Sequence, residues 1–233
     1  VARLQGDLDT AEQRYQEALA ADPTLVDALL QLSDVYQAQG NQDAAAQALD
    51  QALQGSGDDA AAVAGALTKL GNTLAAAGET DEAVARYREA LAANPGYAGA
   101  YLQLAALYDA QSDPAAALAV YQDGVEALPD NADLRFRLGQ ALRRSCDAAG
   151  ATEQIEQAVA LTPSYWQARL SLGALYEDAS LMVQALDQYS QTVQLAPDSA
   201  DAQFRFAQAL RKSGQPQEAI AAFADLLERP GGG

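Results

Sequence analysis

The chain has 233 residues, 49% of them apolar, with one cysteine, no histidine, and 32 acidic against 14 basic side chains for a formal charge of −18. Phosphate binds through clustered Lys and Arg, so this charge excludes DNA, RNA and anionic lipid as partners of the chain as a whole. A lone cysteine excludes an internal disulfide framework, no run of about 18 apolar residues is present to span a bilayer, and no segment alternates with the period of two that marks a strand.

Seven alanines set the organisation: Ala11, Ala45, Ala83, Ala117, Ala151, Ala185 and Ala219. Apart from the longer step between Ala45 and Ala83, they recur at one constant interval of about 34 residues. A fixed period of this size denotes stacked copies of one small unit, not a single globular core. The predicted array covers residues 1–230, with 231–233 as a glycine tail.

In chain order, residues 1–25 read as the end of a first helix and all of a second, closed by Pro23. Six repeats follow, at 26–59, 64–97, 98–131, 132–165, 166–199 and 200–230. In the first, Gly57 stands where the next four carry Pro95, Pro129, Pro163 and Pro197, and the insertion Ala60 to Val63 predicts an extra turn on the helix after Asp58-Asp59. The repeat 98–131 is the clearest. Tyr101, Leu104, Ala105 and Tyr108 share one helical face, and Ala117, Tyr121, Gly124 and Val125 share another. Between them Asp113 is placed to cap and Pro114 to occupy a first helical position. Pro129 ends the second helix and Asp130 is expected to cap the next. In 132–165, Cys146 replaces the turn glycine. In 166–199, Trp166 is expected to pack against the preceding repeat. The array has a partial first repeat, no polar closing helix after residue 228, and Pro230 before the glycine tail. These features predict a piece of a longer protein, or ends covered by another chain.

Recurring residues carry a family likeness: Leu70-Gly71, Leu138-Gly139 and Leu172-Gly173; Tyr36, Tyr108 and Tyr176; Tyr15, Tyr87, Tyr121, Tyr189 and Phe223; Pro23, Pro95, Pro129, Pro163 and Pro197. The pattern resembles the tetratricopeptide repeat over nearly the whole chain. The resemblance implies an all-α solenoid, a right-handed superhelix of helix-turn-helix repeats whose first helices line a concave groove. It also explains the small residues, which let helix backbones approach within about 8–10 Å.

Carried over from the resemblance, the fifth residue of each repeat faces the groove: Leu30, Thr68, Leu102, Phe136, Leu170 and Phe204. Such a row can take apolar anchors of a peptide, or it can pack against the neighbouring first helix. Two repeats add a basic set, Arg137, Gln140, Arg143 and Arg144, then Arg205, Gln208, Arg211 and Lys212. Arginine forks two hydrogen bonds onto a carboxylate, so acidic peptide segments are candidate ligands. Asp133 and Asp201, one helical turn before Arg137 and Arg205, and Glu177-Asp178 on the intervening rung offer internal pairing instead. The carboxylate clamp of some chaperone-binding members is not expected, since only Asn72 matches it and Lys69 is displaced by one position.

Without histidine, the commonest general base and metal ligand is missing. Cys146 therefore reads as an inert thiol, and no cofactor or metal site is predicted. Charge is uneven, at net −15 over residues 1–131 and −3 over 132–233, so the halves can face different partners. The predicted function is a non-catalytic scaffold binding a peptide or protein in its groove. An assembly subunit that self-associates or docks through its terminal helices, and a substrate-recruiting arm of a larger enzyme, are the alternatives. The alanine-rich, lysine-poor composition fits a high-GC bacterial source. The cytoplasm is the default compartment, with the periplasm or exterior following if an upstream signal was removed.

Overall fold

The computed structural model describes residues 7–227. Among them lie thirteen α-helices and no strand. The helices are α1 (Leu8–Ala21), α2 (Val26–Ala38), α3 (Gln42–Gly55), α4 (Ala60–Ala77), α5 (Thr80–Ala93), α6 (Ala98–Ala110), α7 (Pro114–Ala127), α8 (Ala132–Arg144), α9 (Ala148–Leu161), α10 (Trp166–Asp178), α11 (Met182–Leu195), α12 (Ala200–Lys212) and α13 (Pro216–Leu227). They group into two compact units, Val1–Leu128 and Pro129–Gly233. The expected end of a first helix before Asp7 and the tail after Leu227 lie outside the described residues.

Local chemistry sets the helix starts. Asp113 accepts a hydrogen bond from the Ala116 amide at 3.0 Å and Pro114 opens α7, as the sequence predicts. Asp59 accepts from the amides of Ala61 and Ala62, and α4 runs 18 residues where α2 and α6 run 13. The insertion thus adds the predicted turn. One cap differs: α8 is capped by Asn131, whose side chain accepts from the Leu134 amide at 3.0 Å, and not by Asp130. Pro129-Asp130-Asn131 offers two capping side chains in a row, and the later one meets the first free amides.

Each hairpin turn between a first and a second helix contains one left-handed residue: Gly40, Gly78, Ser112, Cys146, Ser180 and Gly214, with φ between 61° and 85°. The seven periodic alanines are all buried, none more than 3% exposed. Close approach explains the Leu-Gly pairs. A Cβ on Gly71 would lie 2.6 Å from the Tyr87 ring, one on Gly173 2.6 Å from the Tyr189 ring, and one on Gly139 2.5 Å from the Ile155 side chain and 3.1 Å from the Ala151 carbonyl oxygen. The bulky members of these contacts, Tyr87, Ile155 and Tyr189, are each at most 2% exposed. Burial of such side chains in place of water contact stabilises by roughly 1.5–3 kcal/mol each for the aliphatic case.

Candidate functional site

Consecutive first helices meet side by side within each unit. In the first unit, Lys69 of α4 pairs with Asp34 of α2, and Gln37 donates to the Thr73 hydroxyl at 2.6 Å. In the second, Lys212 of α12 donates to Glu177 of α10 at 2.5 Å, and the same carboxylate accepts from the Tyr189 hydroxyl at 2.8 Å. Burial works against the charge of Glu177. The hydrogen bonds from Lys212 and Tyr189, with the charges of Lys212 and Arg205, outweigh it and hold the carboxyl below its ordinary value.

Along this face the fifth-position residues differ. Leu30, Leu102 and Leu170 are half-buried. Thr68 is buried and returns its hydroxyl to the Ala64 carbonyl at 2.7 Å. Phe136 is 5% exposed, with its ring centroid 5.0 Å from that of Tyr165. Phe204 is 44% exposed and meets Phe223 of its own hairpin edge-on at 5.9 Å. Phe204 alone of the six presents a largely open apolar surface.

Arg137 pairs with Asp133 at 3.5 Å and Arg205 with Asp201 at 3.0 Å, both arginine side chains remaining nearly half exposed. For Arg205, burial opposes the charge, but the Asp201 carboxylate overcomes it and raises the guanidinium pKa further. Gln140 and Gln208 are half-buried, and Arg143, Arg144, Arg211 and Lys212 are exposed. These four cations occupy the last turns of α8 and α12, where the negative end of the helix dipole favours them. The Arg137–Asp133 and Arg205–Asp201 pairs are exposed, so each contributes about 0–1 kcal/mol and leaves its arginine exchangeable.

A second polar series does not stand out in the sequence. Arg135 donates to the Pro129 carbonyl at 2.6 Å, to Gln154 at 2.9 Å and to Gln157. One repeat on, Arg169 donates to the Pro163 carbonyl at 2.7 Å and to Gln188 at 3.0 Å while only 9% exposed. Gln203 repeats the first of these bonds, donating to the Pro197 carbonyl. The signal in the sequence is Arg at the fourth repeat position with Gln at one shared offset on the next helix, Arg135 with Gln154 and Arg169 with Gln188. A buried guanidinium is tolerable here because carbonyl and amide oxygens meet its donors.

Among the described residues, no group of three or more His, Cys, Asp or Glu side chains is gathered to hold a metal ion, and no helix is long and apolar enough to cross a membrane. Cys146 is a free, exposed thiol.

Family models described as tetratricopeptide repeat match residues 2–70, and 68–132, 102–164, 136–200 and 183–233. No curated protein matches the chain in sequence. Solved structures that resemble it include pilF of Pseudomonas aeruginosa, with a TM-score of 0.67 and 19% identity over 94% of this chain and 91% of that one. MamA superposes with a TM-score of 0.62 and 23% identity over 71% and 91% of the two chains. YrrB, described as a TPR protein with an unusual peptide-binding site, gives a TM-score of 0.55 and 19% identity over 82% and 96%.

Proposed function

Because this chain belongs to the tetratricopeptide-repeat family, we propose that it is a non-catalytic scaffold holding an extended peptide or a partner protein along the face made by its first helices. The family fold is a protein-interaction module, and the peptide site named for YrrB is a precedent on that fold. The register of the periodic alanines continues without interruption from Ala83 to Ala219, which favours one array over separate modules.

The observation that carries the reading is the exposed surface of α12. Phe204 lies open, Arg205 is adjacent, and Gln208 and Arg211 follow at helical spacing on the same side. An apolar anchor beside forked cationic donors fits a peptide with one aromatic or aliphatic residue next to acidic ones. Leu170, Arg137, Gln140, Arg143, Arg144 and Lys212 extend that character within the second unit, and Leu30 and Leu102 supply half-buried apolar groups in the first.

The test is binding of short acidic peptides, each with one Phe or Leu, followed by fluorescence anisotropy. Phe204→Ala should weaken a captured peptide about tenfold, the effect of losing an interface residue worth about 1.4 kcal/mol. Arg137→Glu with Arg205→Glu should weaken it further and flatten its salt dependence. Phe136→Ala is a poor probe, because removing this buried ring costs about 3–5 kcal/mol of stability. Unchanged affinity in both variants would refute the groove reading. Self-association through the terminal repeats is favoured by Ile220, 68% exposed on α13. A concentration-dependent oligomer in light scattering, lost in Ile220→Lys, would support it.

A further inference from the structure

The fourth repeat position holds a guanidinium in two successive repeats and lacks one in the next. Arg135 anchors on Pro129 and reaches Gln154 and Gln157; Arg169 anchors on Pro163 and reaches Gln188. In the last repeat every member of this set changes except the anchor. Gln203 stands for the arginine, and Ala222 and Asp225 stand at the offsets where Gln154 and Gln157 meet Arg135. Gln203 still donates its Nε2 to the Pro197 carbonyl, which fixes the amide orientation. Its shorter side chain ends where a guanidinium would continue. What remains is a partly open cavity of about 120 Å³ between α11, α12 and α13, lined by Val193, Gln203, Phe206, Ala222 and Asp225. Gln203 is 8% exposed, and its Oε1 is buried with no hydrogen-bond partner among the described residues. Native proteins seldom leave a buried acceptor unmet without a reason.

We propose that this cavity is a socket for an arginine side chain presented by a partner protein. Two residues lining the cavity carry acceptors, Gln203 with its unpartnered, buried Oε1 and Asp225 with its exposed carboxylate, so the occupant must bring donors. A guanidinium brings several in one plane, forks onto a carboxylate, and lies flat on an aromatic face such as that of Phe206. The two preceding repeats show that this position of the hairpin accommodates the same group when the chain supplies it. The strongly acidic chain draws a cationic partner. The socket uses the fourth repeat position and α13, so it stands or falls independently of peptide binding at the fifth and sixth positions.

The test is a titration of the whole chain with methylguanidinium at low millimolar concentration, followed by nuclear magnetic resonance of the side-chain amides. Saturable shifts should centre on Gln203, and methylammonium should bind at least about tenfold more weakly. Asp225→Asn, at an exposed position that leaves the core intact, should weaken methylguanidinium about tenfold. Gln203→Arg should refill the socket, abolish binding and raise the melting temperature. A peptide with one arginine should bind at the same site and lose affinity on Arg→Lys substitution. Failure to saturate, equal binding of methylammonium, or undiminished binding in Gln203→Arg would overturn the socket. If Arg229→Ala is needed to expose the site to methylguanidinium, the chain's own Arg229 is the occupant and the partner assignment falls.

Discussion

Cys146 adopts φ +65°, a left-handed conformation that Gly40, Gly78 and Gly214 adopt at the same point of other hairpins. A side chain there crowds the following carbonyl oxygen, and glycine avoids the clash. Cys146→Gly should therefore raise the free energy of unfolding by about 1 kcal/mol, read by urea denaturation; no gain would show that the local backbone carries no such strain. Glu177 gives a pH-dependent counterpart. Its carboxyl is held below the ordinary value of 4.5 in the fold, so its stabilising effect is complete above that value and is lost as pH falls through the depressed folded value. Glu177→Gln should flatten the acid end of the stability profile and leave its alkaline end in place; an unaltered acid limb would sink this assignment. At this scale much is readable from sequence. Asp113, Pro114 and the turn position of Cys146 follow from side-chain chemistry alone. Asn131 is passed over in favour of Asp130 because both can cap and only the backbone path chooses.

Within a hairpin, backbone proximity is set by the smallest residues. Gly173 faces the Tyr189 ring at a separation no Cβ could occupy without displacing it. Gly173→Ala should cost about 1–3 kcal/mol, as overpacking does. Ala151→Leu should cost a similar amount, since Ala151 is fully buried against the Gly139 turn of α8. An unchanged melting temperature in either variant would contradict the packing. Pattern alone locates these residues, because a recurrence of Ala and Gly at a fixed period has a steric cause common to every copy. It does not separate Phe136 from Phe204, which share a repeat position and a residue type. Phe136 is covered because it joins the core cluster of Ala151, Ile155 and Leu172, with Tyr165 packed against it, while Phe204 stays 44% exposed beside Phe223. Nor does it expose the interhelical role of Arg135 or the buried one of Arg169. Reading charge by position on one helix overlooks a partner on the helix that follows.

Across the whole chain, charge is the dominant long-range term. Residues up to Leu128 hold 19 acidic and 5 basic side chains, those after it 13 and 9. Like charges spread over a folded chain repel one another, and salt shortens the range of that repulsion to about 8 Å at physiological strength. Thermal stability should therefore rise by roughly 2 °C or more between low and physiological salt, the amount about 1 kcal/mol gives at this length; a fall would mean that the ion pairs outweigh the net repulsion. The repeat number and class of fold are legible at this scale because each copy restates the same pattern. The division into two compact units is not, since the repeat register runs through Leu128 unbroken. The one tryptophan of the chain, Trp166, opens α10 and so belongs to the second unit alone. Its emission is a native optical reporter of that unit, whereas far-ultraviolet ellipticity sums helices from both. Superimposable denaturation curves by the two signals would mean that the chain melts as one cooperative body, and an offset would reveal a partly molten intermediate without any label being introduced.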